Sequence, residues 1–140
     1  MNTVGLLLTA YYNAILNHTS GLNLYKLTVP ETETGNYVWI YPEGGVDDNN
    51  KSSKNENVII RVDIVTKFVN DTDQSICEDC DTEINLALLP TPAGHGLTDP
   101  SGLQFLNLRR ENYTYQIEPT QGGGIIYRKI SRYIQRVHQT

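Results

Sequence analysis

Histidine and cysteine are scarce in this sequence. The three histidines, His18, His95 and His138, stand singly and far apart, and the two cysteines, Cys77 and Cys80, form one C-x-x-C with no second pair. Structural zinc needs three or four ligands around one ion, so the sequence supplies no evident zinc set and no cofactor is expected. No G-x-S-x-G, P-loop, H-E-x-x-H or dinucleotide fingerprint occurs. No apolar run approaches the roughly 20 residues that span a bilayer, so no membrane partner is expected. The opening MNTVGLLLTAYYNAILNH lacks the basic start of a signal peptide. The formal charge of −5 opposes general attraction to nucleic acid.

What the sequence does contain is tyrosine and uneven charge. Nine tyrosines accompany two phenylalanines and one tryptophan, a mixture that suits half-buried strands and interfaces. Residues 1–100 hold five Lys/Arg against fourteen Asp/Glu, a net of −9, whereas residues 101–140 hold six against two, a net of +4. Copies of such a chain can pack acidic against basic around a closed ring. The alternative is two solvated surfaces that never meet. A chain of 140 residues is long enough for one core and is read as one domain, 1–140. N-x-S/T sequons at Asn17, Asn50, Asn70 and Asn112 carry no weight without evidence of secretion. Two cysteines without an evident pairing suit a reducing compartment.

Periodicity divides the chain into helices and strands. Leu7, Leu8, Tyr11, Tyr12 and Ile15 recur at helical steps, predicting a helix over Val4–Leu16 capped by Asn2 or Thr3. Leu22, Leu24 and Leu27 alternate as a short strand. Tyr37–Tyr41 reads as a strand that Pro42 should end and Gly44–Gly45 should turn. The polar run that follows makes residues 43–57 a flexible loop or hairpin tip, with 46–57 ordering on assembly. Its Asp47 and Asp48 lack the other ligands of a calcium loop. The segment NVIIRVDIVTKFVN is the clearest strand. Val58, Ile60, Val62, Ile64 and Phe68 share its core face, and Arg61, Asp63 and Lys67 punctuate the other. Tyr113, Tyr115 and Ile117 alternate, and Gly122–Gly124 mark a turn. The last segment fits a helix or a strand. Its β-branched and tyrosine content and the preceding glycine turn favour the strand, with Arg128, Arg132 and Arg136 on one face with Ile126, Ile130 and Ile134. The fold class is α+β, a mainly antiparallel sheet with two helices packed on one face.

The cysteines fall on a predicted helix, SICEDCDTEINLALL, capped by Asp73 or Ser75. Ile76, Cys77, Cys80, Ile84, Ala87 and Leu88 form its apolar stripe, with Asp81 placed elsewhere. The readings are buried helical residues, half of a metal site, or a redox pair. Glu78, Asp79, Asp81 and Glu83 surround the thiols, and negative neighbours disfavour a thiolate. Metal-dependent nucleases place an acid and a lysine on one strand face. DIVTK has both residues at the wrong spacing, so a solvated Asp63–Lys67 pair is the plainer reading. Arg109, Arg110, Arg128, Lys129, Arg132 and Arg136, with Tyr113 and Tyr115, are the candidate interface or channel residues. Basic groups beside aromatics also suit single-stranded nucleic acid.

The order of segments resembles the small tail-terminator or tail-completion proteins of tailed bacteriophages, neck and tail ring proteins included. The likeness runs through VGLLLTAYYNAIL, YVWIYPEGG, the polar tip VDDNNKSSKNEN, NVIIRVDIVTKFV, SICEDCDTEINLALL, YTYQI and GIIYRKISRYIQRV. It is one of order rather than of a signature motif, and the cysteine pair is no part of it. The resemblance implies a tail-terminator-like fold and a non-enzymatic structural subunit. Such subunits form a homo-oligomeric ring, six- or twelvefold, that terminates or joins the tail tube. Implied partners are neighbouring neck or tail proteins, with passive contact to DNA in the channel. The implied location is the virion, assembled in the host cytoplasm. A phage-encoded nucleic-acid-binding protein or nuclease is the alternative.

Overall fold

The computed structural model describes residues 2–47, 54–69, 75–92 and 94–140, the side chain of Val69 excepted. In chain order the elements are α1 (Thr3–Ile15), β1 (Asn23–Lys26), β2 (Tyr37–Asp47), β3 (Lys54–Val69), α2 (Ser75–Leu88), β4 (Leu103–Pro119) and β5 (Gly124–Gln139). The strands form one sheet in the order β1-β2-β3-β5-β4. Only β1 and β2 run parallel; the other pairs are antiparallel.

Both helices lie on one face of this sheet. Side chains alternate across a strand, so the register assigns each residue to a face. Val58, Ile60, Val62 and Ile64 of β3, Val38 and Ile40 of β2, and Tyr133 and Val137 of β5 point to the helices and are at most 1% exposed. From above they meet Leu7, Tyr11 and Ile15 of α1 and Cys77, Ile84 and Leu88 of α2. The expected core face of β3 is therefore correct, and the last segment is a strand. The side chain of Asn2 caps α1 by accepting from the amide of Gly5 at 2.9 Å. Gly122 and Gly123 both adopt positive φ, +93° and +85°, and close the β4–β5 hairpin.

Three expectations about element bounds and faces need correction. Strand β2 does not stop at Pro42; it runs to Asp47. Its neighbour β1 ends opposite Ile40, so beyond that point β2 is an edge strand and the missing amide of Pro42 leaves no ladder bond unmade. Glu43 is the extra residue of a bulge between Pro42 and Gly44, and Gly44 and Gly45 continue the pairing instead of turning. Residues 43–47 and 54–57 of the expected loop are therefore paired strand, and the tip, 48–53, lies outside the described residues. On α2, Asp81 is buried at 6% exposure while Ile76 is 43% exposed, the reverse of the predicted stripe. Asp81 turns inward because two cations meet it there, as described below. The suggested cap Asp73 also lies outside the described residues.

Candidate functional site

Strand β5 carries cations and isoleucines through its middle, and its alternation sends them to opposite faces. Lys129 and Tyr133 point to the helices. Arg128, Arg132 and Arg136 point to the face that no described element covers. Paired strand β4 divides in the same way. Arg110, Tyr113 and Tyr115 pair with Tyr133, Ser131 and Lys129 on the helix side, and Arg109 pairs with Ile134 on the open side. The candidate residues read from the sequence thus fall into two groups of four.

The helix-side group closes an ion network with α2. The ammonium of Lys129 lies 2.9 Å from both Glu78 and Asp81. Arg110 reaches Asp81 at 2.5 Å and the hydroxyl of Tyr133 at 3.0 Å. Tyr133 donates to Asn85, and Tyr115 donates to the second carboxylate oxygen of Glu78. The rings of Tyr113 and Tyr115 flank the Lys129 ammonium at 4.6 and 5.3 Å. Burial works against the charge on Lys129, but the bonds to Asp81 and Glu78 outweigh it and raise its pKa. The same opposition acts at Arg110, where burial is outweighed by Tyr133 and Asp81 and the net shift is upward. This network ties the β4–β5 hairpin to α2. The sequence reading missed Asp81, Glu78 and Asn85 here. The signal was available: Asp81 lies four residues from Cys77 and three before Ile84, both on the buried stripe.

The open-side group lies among residues of β2 and β3. Cross-strand rows run Tyr37–Val65–Arg128–Gln116, Trp39–Asp63–Ile130–Thr114 and Tyr41–Arg61–Arg132–Asn112. Trp39 and Tyr41 stack with ring centroids 4.1 Å apart, and the Arg61 guanidinium lies 5.1 Å from the Tyr41 ring. Arg132 binds Glu43 at 2.8 Å and Asn112 at 3.2 Å. Asp63 is 1% exposed. It accepts from Tyr41 at 3.2 Å and faces Arg61 at 3.8 Å, beyond hydrogen-bonding range. Burial raises its pKa against the pull of Arg61. Asp63 Oδ1, Arg61 Nε and Arg128 Nε are buried without a hydrogen-bond partner among the described residues.

The remaining candidates for chemistry are dispersed. Lys67 donates to the carbonyl of Thr34, not to Asp63. His95 accepts the amide of Leu97 on Nδ1, which leaves Nε2 to donate to the carbonyl of Phe105; the ring pins the 95–105 loop. His138 meets Asn55, and His18 is exposed. Cys77 and Cys80 are fully buried and not bonded to each other. Burial first, and nearby acids second for Cys77, push both thiols up to about 12. Neither thiol is therefore poised as a thiolate. Among the described residues no three His, Cys, Asp or Glu side chains gather to hold a metal ion. A cleft of about 450 Å³ between α1 and the 96–100 loop is lined by side chains such as Leu6, Thr9 and Asn13 and contains no titratable group. No helix among the described residues is long and apolar enough to cross a membrane.

The same fold occurs in a virus-like particle. A chain described as "Virion of native gene transfer agent (GTA) particle" superposes with a TM-score of 0.71, over 99% of this chain and 98% of that one. At 17% identity the likeness is one of fold. No protein-family model matches the sequence, and no curated protein matches it.

Proposed function

We propose that this chain is a non-enzymatic structural subunit of a phage-type virion. In this reading it forms a homo-oligomeric ring, six- or twelvefold, at the tail or head–tail junction, where it terminates or joins the tail tube. The observation that carries the reading is the end-to-end superposition on a chain of a gene transfer agent virion, with almost nothing left over on either side. A shared fold does not by itself fix function. The reading draws further support from two other features. Among the described residues the ionic groups of β4 and β5 sit in structural pairs and one network, and no three His, Cys, Asp or Glu side chains gather to hold a metal. One sheet face carries half-buried apolar side chains and arginines that no described element of the same chain covers.

The open-face arginines, Arg109, Arg128, Arg132 and Arg136, are the proposed contacts to a neighbouring copy or to DNA in the channel. Arg110 and Lys129 act inside the subunit, holding the hairpin that presents the open-face arginines, while the exposed Tyr113 and Tyr115 flank Lys129 and stay proposed interface residues. Negative-stain imaging of concentrated protein tests the reading: closed rings support it. A monomer that shifts labelled DNA, with no ring under any condition, favours the nucleic-acid-binding alternative.

A further inference from the structure

The open face of the sheet has an apolar centre that no described element covers. Val65 and Ile130 are 1% and 4% exposed, and Ile59, Ile126 and Ile134 are half-buried around them. Arg61, Arg109, Arg128, Arg132, Arg136 and Lys67 surround this apolar centre, against Asp63, Glu43 and Glu118.

Helix α2 shows the complementary surface on its outer side. Ile76 and Leu86 are 43% and 58% exposed, and Asp79 and Glu83 between them are exposed as well. Steps of three, four and three residues put the four on one stripe. Ser20 fixes the Glu83 carboxylate through its amide at 2.6 Å and its hydroxyl at 2.7 Å. The dimensions agree. A helix of 14 residues is about 21 Å long and roughly 10 Å wide. The open face from Ile59 to Lys67 spans about 27 Å along β3.

We infer that the outer stripe of α2 from one copy docks on the open sheet face of the next. Ile76 and Leu86 cover the half-buried Ile59, Ile126 and Ile134, while Asp79 and Glu83 meet Arg109 and Arg128. The contact joins two different patches, so it propagates head to tail and closes as a ring. The inference rests on the ring reading and names the surfaces that reading requires. A copy of this chain fits the face better than DNA does, because the centre is apolar and Ile76 and Leu86 bring apolar area that a phosphate backbone lacks.

Charge exchange tests it. One variant carries Asp79→Arg and Glu83→Arg, the other Arg109→Glu and Arg128→Glu. Sedimentation velocity on the full chain at low salt reads their association, with a thermal melt as the folding control. Each variant alone should associate at least about 100-fold more weakly than the parent, since like charges then face each other. An equimolar mixture should recover near-parental association, because every contact in an alternating chain is again acid on base. Leu86→Arg, at an exposed position, should fold normally and weaken association in the same way. This arm and the α2 pair decide the matter if the sheet variant fails to fold. Unchanged association in the α2 variants overturns the inference, as does a mixture of folded variants that stays dissociated. So does a parent protein that remains monomeric at ~1 mM. If the sheet variant loses binding to a labelled DNA duplex while its self-association is unchanged, the face belongs to DNA. A virion image with a ring in which α2 touches no sheet removes this contact and leaves the ring; an image with one lone copy removes the ring itself.

Discussion

Replacing Lys129 by Met removes a cation from the centre of the network between α2 and the β4–β5 hairpin while keeping most of its alkyl volume. Lys129 is 4% exposed, and its ammonium serves both Asp81 and Glu78 at 2.9 Å. Breaking a buried pair from one side strands the other charge and costs about 3–5 kcal/mol. Two features reduce that figure here. Asp81 retains Arg110, and the Glu78 side chain is 36% exposed, so water replaces part of its partner. A loss of about 2–4 kcal/mol remains, or a drop in Tm of roughly 10 °C for a chain of this size. Arg132→Ala is the internal comparison. Its ion pair with Glu43 joins side chains 25% and 33% exposed, and pairs of that kind contribute less than about 1 kcal/mol. Urea unfolding of both variants at neutral pH measures the difference. If Lys129→Met costs no more than Arg132→Ala, the network does not hold the hairpin. The pH dependence adds a second check. The folded pKa of Lys129 is raised, so its contribution is fully present below the unfolded value of about 10.4 and is lost as pH rises above it. The gap between parent and variant should therefore stay constant from pH 6 to 9, as about 10.4 lies above that range.

Cys77 and Cys80 should resist thiol reagents at pH 8 in the folded protein and react at once in denaturant, since burial holds both pKa values near 12; fast native labelling would contradict their placement. Gly96→Ala should destabilise by about 2–3 kcal/mol in urea, because a Cβ there would come within 1.8 Å of the Ala87 carbonyl; a neutral result would show that the loop after α2 moves freely. Asn2→Ala should cost about 1 kcal/mol through loss of the cap on Gly5. Asp63→Asn should leave the free subunit as stable or more so. The raised pKa of Asp63 means that burial of its charge weakens the fold as pH rises through the window between its unfolded and folded values, and the amide removes that dependence.

The sequence was most legible where one face of an element is apolar. Val58, Ile60, Val62 and Ile64 announce both the strand and its core side, and the arginines of β5 keep the two-residue period that the strand imposes. Pro42 misled because its effect depends on whether a neighbour needs its amide, and that depends on where β1 ends. Asp81 misled for a related reason. A carboxylate is called solvent-facing by default, and the cations that draw it inward come from Lys129 and Arg110, far along the chain. The division of the basic residues into an internal group and an open group was implicit in the alternation of β5. For β4 it depended on bulges near Asn107 and Glu111 that no local pattern marks. The alternation of β3 placed Asp63 opposite the core face, but Trp39 and Tyr41 came beside it only through sheet order, which the strand patterns do not specify.

The central claim is that this chain is a ring subunit of a virion. A symmetry-resolved electron-microscopy reconstruction of the particle that carries it tests that claim most directly. The account predicts repeated copies in a closed ring at the tail or its junction with the head, with the open sheet face of each copy covered by α2 of the next. A single asymmetric copy, or the chain seated in a catalytic complex away from the tail, would contradict it.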